Sequence, residues 1–157
     1  DAVASLVGIR DRVSYEGQAA IELEQSVDVK EQGSYRVGLE LPTDPATPTV
    51  IETRQLIKGV VGDLEDGLPV GIIAARFHNG LVGAIFETCL QARVDHGMST
   101  VALSGGVFQN RLLLERSVQR LAAAGFTVLT HRSVPANDGG ISFGQAAIAA
   151  ARDHPNG

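Results

Sequence analysis

Val101-Ala-Leu-Ser-Gly-Gly-Val-Phe-Gln-Asn110 is the stretch from which the rest of this chain is read. Val101, Leu103 and, past the turn, Val107 alternate as a short strand does, and a helical pattern opens directly after the paired glycine. A strand, a glycine turn and a helix in that order aim backbone N–H groups, here those of Gly105, Gly106 and Val107, and the positive end of a helix dipole at a phosphate, with Ser104 or Asn110 hydrogen-bonding sugar or phosphate oxygens. Side chains at such a turn would hold the backbone away from the ligand, which is why glycine serves there. A tight strand-to-helix turn that needs glycine only for packing has the same spelling, and spacing alone leaves both readings open. Some thirty residues on comes a second glycine turn with a carboxylate at its tip, Val134-Pro-Ala-Asn-Asp-Gly-Gly140.

The surrounding pattern extends this into β-α-β-α. Strand Thr100–Leu103 leads to a helix expected over Val107–Ala124 and stopped by Gly125. Strand Phe126–Thr130 follows, then the second turn and a helix over Ile141–Arg152. Short connections favour a parallel strand pair with a right-handed crossover. Upstream, a long helix is expected from Pro69 to Asp95, with Val70, Ile73, Ala74, Phe77, Leu81, Ala84 and Ile85 on one stripe. Ile72, Val82 and Phe86 lie off that stripe, so the helix should be covered on more than one side. A shorter helix is read over Thr53–Leu64, ending at Asp66-Gly67. Tyr35–Leu41 alternates as a strand, and Pro42, Pro45 and Pro48 mark a surface loop. Ser14 is expected to cap a helix through Tyr15–Glu24, with Ala19, Ala20 and Leu23 inward. Asp1–Gly8 reads as the second half of a helix with no cap before it, which suggests a piece of a longer protein.

The 157 residues suit one domain able to bury roughly 68–70% of its unfolded surface. Hydrophobic residues at 44% and charged residues at 20% give an ordinary folded composition. A net charge of −5 with no basic cluster speaks against a nucleic-acid partner. No apolar run approaches the length of a membrane helix, so no membrane partner is expected. A single cysteine, Cys89, excludes an internal disulfide and suits a reducing cytoplasm.

Asp138 has two readings. It stands where a helix begins and would cap it; as a carboxylate between glycines it would also suit a hard cation or a metal-bound phosphate. Glu16-Gly17-Gln18 places a glycine in a first helical turn, at a cost of roughly 0.5–1 kcal/mol. Close packing or a nearby ribose would account for it, packing being the simpler. His78, His96, His131 and His154 show no metal-ligand spacing, and His78 reads as a helix-surface or supporting histidine. Cys89 reads as a small buried residue, and no Ser-His-Asp or paired-carboxylate pattern stands out.

Taken together, Ser104–Leu113, His131, Val134–Ile141 and Gly144-Gln-Ala146 resemble the C-terminal part of the HypF carbamoyltransferases, a family that matures nickel–iron hydrogenases. Val13–Glu24 and Ala75-Arg-Phe-His78 are similar to it in the same order. The resemblance implies an α/β fold: the second lobe of an actin-like (ribonuclease H-like) ATPase, with a βαβα core and extra helices. Residues 1–157 would then be the C-terminal lobe of the carbamoyltransferase domain. It implies ATP and carbamoyl phosphate as substrates, Mg²⁺ or another divalent metal, and a HypE-like acceptor whose C-terminal cysteine receives the carbamoyl group. By position, Ser104, Gly105, Gly106 and Asn110 would hold the nucleotide, Glu16 and Gly17 would lie near its sugar or the lobe interface, and Asp138 would ligate the metal. The family's other metal ligands, a histidine pair in the preceding lobe, have no counterpart in this sequence, so this lobe alone should not complete the reaction. Two rival readings are an O-carbamoyltransferase of antibiotic biosynthesis, which shares the actin-like region, and a non-catalytic interaction module.

Overall fold

In the computed structural model, residues 1–40, 48–153 are described. Helix α4 (Val70–His96) is the axis of the molecule. At about 1.5 Å rise per residue it spans roughly 40 Å, enough to serve two cores in succession. Its first half packs Ile73 and Ala74 with α1 (Ala2–Leu6), α2 (Gln18–Gln25) and α3 (Arg54–Glu65), where Val3, Leu23, Leu56 and Val60 are buried. Its second half presents Ile85, Phe86, Cys89 and Leu90 to a smaller core around Leu103, Leu121 and Phe126. Apolar residues on several sides of α4 are therefore used, as the off-stripe pattern requires. Glycine lets neighbouring backbone come close to the helix: a Cβ on Gly80 would lie 2.7 Å from the carbonyl oxygen of Tyr35.

Strand β3 (Thr100–Leu103) pairs in parallel with β4 (Thr127–Thr130), Thr100 opposite Thr127 and Leu103 opposite Thr130. Helix α5 (Arg111–Ala123) is the crossover, and α6 (Ile141–Asp153) closes the β-α-β-α order.

Several local expectations need correction. The helix read from Val107 is two pieces: a 3₁₀ turn over Gly106–Gln109, then α5 from Arg111. The break falls where the Asn110 side chain takes the Leu113 N–H as an N-cap, at 2.8 Å. Ser14 caps nothing; α2 begins at Gln18 behind Gly17, and the Ser14 amide instead donates to Oε1 of Gln18 at 2.7 Å. The strand read over Tyr35–Leu41 is, among described residues, only β1 (Gly38–Glu40), and it pairs antiparallel with an unforeseen β2 (Val50–Glu52). Leu41, Pro42 and Pro45 lie outside the described residues. No helix among the described residues is long and apolar enough to cross a membrane.

Candidate functional site

The two glycine turns touch. After β3 the chain reaches Gly105 at φ 105° and ψ 158°, a backbone region open in practice only to glycine. That geometry turns the Gly105 amide toward the second turn, where it donates to the carbonyl of Ala136 at 2.9 Å. A Cβ on Gly106 would sit 4.0 Å from the Cβ of Asn137. The expectation that Gly105, Gly106 and Val107 all offer amides to a phosphate is thereby narrowed. Gly105 spends its N–H on Ala136, whereas the amides of Gly106 and Val107, the first of the 3₁₀ turn, have no acceptor among the described residues.

The α5 terminus is closed as well. Leu113 N–H goes to Asn110 and Leu112 N–H to Oε1 of Glu24, at 2.9 Å, so α2 sends a carboxylate to the positive end of α5. The other half of the Asn110 amide points at α4, with its Nδ2 3.0 Å from Nε2 of His78. His78 is 2% exposed, so it is a core residue rather than a helix-surface one. Its Nδ1 lies 2.7 Å from the carbonyl of Ala74. Burial pushes the imidazole below its ordinary range, with the nearby Arg116 acting the same way and Ala74 and Glu24 opposing.

These residues line a cavity of about 500 Å³. Ala20, Ile21, Phe77, Leu81 and Leu113 make its apolar wall; Glu16, Gly17, Gly106 and Asn110 reach it from the polar side. Four of the expected nucleotide residues are thus brought together by α2, α4 and the first glycine turn. Gly17 has φ 79°, and a Cβ there would meet nothing within 4 Å, so the left-handed start of α2 rather than close packing accounts for it.

Ser104, Gly105 and Asp138 fall in a smaller neighbouring cavity of about 260 Å³, with His131, Asn137 and Gly140. Gly106 and Asp138 therefore flank Gly105 from different cavities instead of sharing one. Asp138 is not a cap: it is the first residue of a 3₁₀ turn, Asp138–Gly140, that leads into α6, and Asn137 caps that turn by accepting from the Gly139 amide at 3.1 Å. Asp138 is exposed, and no group of three or more His, Cys, Asp or Glu that would hold a metal exists among the described residues. One carboxylate does not make a cation site.

Ser104 Oγ and His131 Nε2 form a hydrogen bond of 2.8 Å. The partners lie 27 residues apart, at the ends of adjacent parallel strands, a proximity that follows from the strand register and not from any local spelling. No carboxylate bonds the other His131 nitrogen among the described residues, so this is a pair and not a triad. Cys89 is half-buried, and burial raises its thiol pKa, the reverse of what a nucleophile requires.

A family model described as "Carbamoyltransferase, Kae1-like Domain, second subdomain" matches residues 1–145. Carbamoyltransferase HypF of Synechocystis sp. is 38% identical over 145 residues, covering 92% of this chain and 18% of that protein. The HypF of Rhizobium leguminosarum bv. viciae is 34% identical over 152 residues, covering 95% and 18%. A crystal structure of full-length HypF in the phosphate- and nucleotide-bound form superposes with a TM-score of 0.87 at 39% identity, over 94% of this chain and 19% of that one. The fold is accordingly α/β, the second lobe of an actin-like, Kae1-like domain. The chain belongs to the HypF carbamoyltransferase family. It spans less than a fifth of the length of these relatives.

Proposed function

We propose that this chain is the nucleotide-contacting lobe of a carbamoyltransferase that uses ATP and carbamoyl phosphate to carbamoylate the C-terminal cysteine of a HypE-like acceptor in nickel–iron hydrogenase maturation. One observation carries the reading: the unused amides of Gly106 and Val107 stand at the rim of an apolar cavity that also receives Glu16, Gly17 and Asn110. An apolar wall suits a base, a carboxylate at the rim suits ribose hydroxyls, and free amides suit phosphate oxygens. The related full-length HypF named for its phosphate- and nucleotide-bound form supports the same assignment.

In this reading the lobe binds and orients. Gly106 and Val107 donate to phosphate, Asn110 is held rigid by Leu113 and His78, and Ser104 offers a hydroxyl from the adjoining cavity. Asp138 supplies one oxygen ligand toward a divalent metal whose remaining ligands come from outside this chain. The acceptor brings its own thiolate, in keeping with the unreactive setting of Cys89.

Calorimetric titration of the chain with ADP or ATP and Mg²⁺ tests this. Weak heat is expected for the native sequence, because one lobe forms only part of a cleft, and none for Gly106→Val. Gly106 has an ordinary backbone conformation, so valine there adds bulk at the cavity rim without backbone strain. Absence of heat from the folded native chain would favour the non-catalytic interaction module.

A further inference from the structure

On another face of α4 and α5 lies a polar recess of about 310 Å³, lined by Gln32, Ser34, Asn79, Arg116, Gln119 and Arg120 over an apolar floor at Val82. It is separate from the nucleotide cavity. His78 lines that one and Asn79, the next residue of α4, lines this one. The recess has no acidic residue in its lining, although the chain carries 18 Asp and Glu against 13 Lys and Arg.

Both guanidinium groups are set in place by other side chains. Arg116 donates through Nη1 to Oδ1 of Asn79. Asn79 is itself anchored by donating to the carbonyl of Gly33 at 2.8 Å. No carboxylate lies within 4.0 Å of the half-buried Arg116 among the described residues. Arg120, one helical turn on, rests over the Phe86 ring at 4.4 Å, and its nearest carboxylate, Glu87, is 3.9 Å away, beyond hydrogen-bond length. Other polar contacts of Asn79 run to the Glu31 carbonyl at 3.4 Å, and Glu31 turns its carboxylate to Arg76.

We propose that this recess is a binding site for a phosphate-class oxyanion, arriving as inorganic phosphate or as the phosphate of a small phosphomonoester. Two planar forks one turn apart present more N–H groups than Asn79 consumes, and a tetrahedral oxyanion can bridge them. Gln32, Ser34 and Gln119 add neutral donors. The volume sits at the lower end of the roughly 300–1,000 Å³ range of small-ligand pockets, which leaves room for an organic group beside the phosphate.

The test is an NMR titration of the chain at constant ionic strength, with sodium phosphate in one arm and glycerol 3-phosphate in the other. Saturable shifts are expected at Asn79, Arg116 and Gln119, weakened about tenfold or more by Arg120→Gln and by Arg116→Lys, which keeps the charge and loses the fork. Tighter saturation by glycerol 3-phosphate assigns the phosphomonoester; equal saturation assigns the free ion. If Arg116→Lys disturbs the Asn79 contact and the fold, the exposed Arg120→Gln carries the comparison. Linear, unsaturable shifts would overturn the proposal. So would shifts confined to Gly106–Asn110, or binding unchanged in Arg120→Gln.

Discussion

Nδ2 of Asn110 donates to Nε2 of His78, and this one bond ties the start of α5 to the middle of α4 beside the 500 Å³ cavity. The tautomer follows from the neighbours. The Ala74 carbonyl can only accept, so Nδ1 of His78 carries the proton and Nε2 is left to accept. The Asn110 amide is oriented by the same logic, because its Oδ1 must take the Leu113 N–H.

Asn110→Ala should cost about 1–2 kcal/mol in chemical denaturation, a typical N-cap loss near 1 kcal/mol plus the price of a buried Nε2 left without a donor. His78→Phe should destabilise as well, and the double variant should lose less than the sum. A coupling of about 0.5–3 kcal/mol is expected for residues sharing a bond. Strict additivity would mean that the two side chains do not interact in solution.

Acid should weaken the fold through the same imidazole. Burial lowers the His78 pKa in the folded protein, so below the unfolded value of about 6.5 the unfolded chain binds more protons. The contribution of neutral His78 is fully present above that pH and is lost progressively as pH falls toward and through the depressed folded value. Denaturation midpoints measured from pH 7.5 down to 5 should decline, and His78→Gln should flatten the decline over that window. An unchanged slope in His78→Gln would assign the acid sensitivity elsewhere.

Two adjacent glycines should behave differently. Gly105→Ala forces a side chain into φ 105° and should cost about 1–3 kcal/mol while loosening the bond to Ala136. Gly106→Ala meets nothing nearer than Asn137 Cβ at 4.0 Å and should leave thermal stability within about 0.5 kcal/mol of the native chain. Equal losses of stability would contradict the backbone geometry of the turn.

Much of this was legible because it is local. Apolar spacing gives α4 within a residue or two, and Gly125 stops α5 where expected. The β-α-β-α order follows from short glycine and proline turns. What escaped depends on contacts between distant residues. Three-residue β2 is too short to alternate, and its partner β1 fixes it. Glu24 meets Leu112 across 88 residues and His78 meets Asn110 across 32, so no window on the sequence contains either pair. Asn110 stands out in the sequence as the polar end of the glycine turn; its structural role, a cap that splits one expected helix in two, depends on the three-dimensional course of that turn. The separation of Gly106 and Asp138 into two cavities has the same origin, since the Gly105 amide bridging the turns is set by an unusual φ.

Glu24 offers a prediction in which stability and binding move in opposite directions. Its carboxylate accepts the Leu112 N–H at the positive end of α5, and it also lines the cavity assigned to the nucleotide, where it repels phosphate. Glu24→Gln keeps an acceptor of the same reach and removes the charge. The variant should lose about 0.3–1 kcal/mol of stability, the usual worth of a carboxylate at a helix N-terminus. ADP should nevertheless bind it more tightly, with the gain shrinking as salt screens the repulsion in the native chain. Calorimetry at two ionic strengths beside a denaturation curve reads both effects. Weaker ADP binding in a folded Glu24→Gln would show that this carboxylate contacts the ligand favourably, and would reverse its assigned part in the cavity.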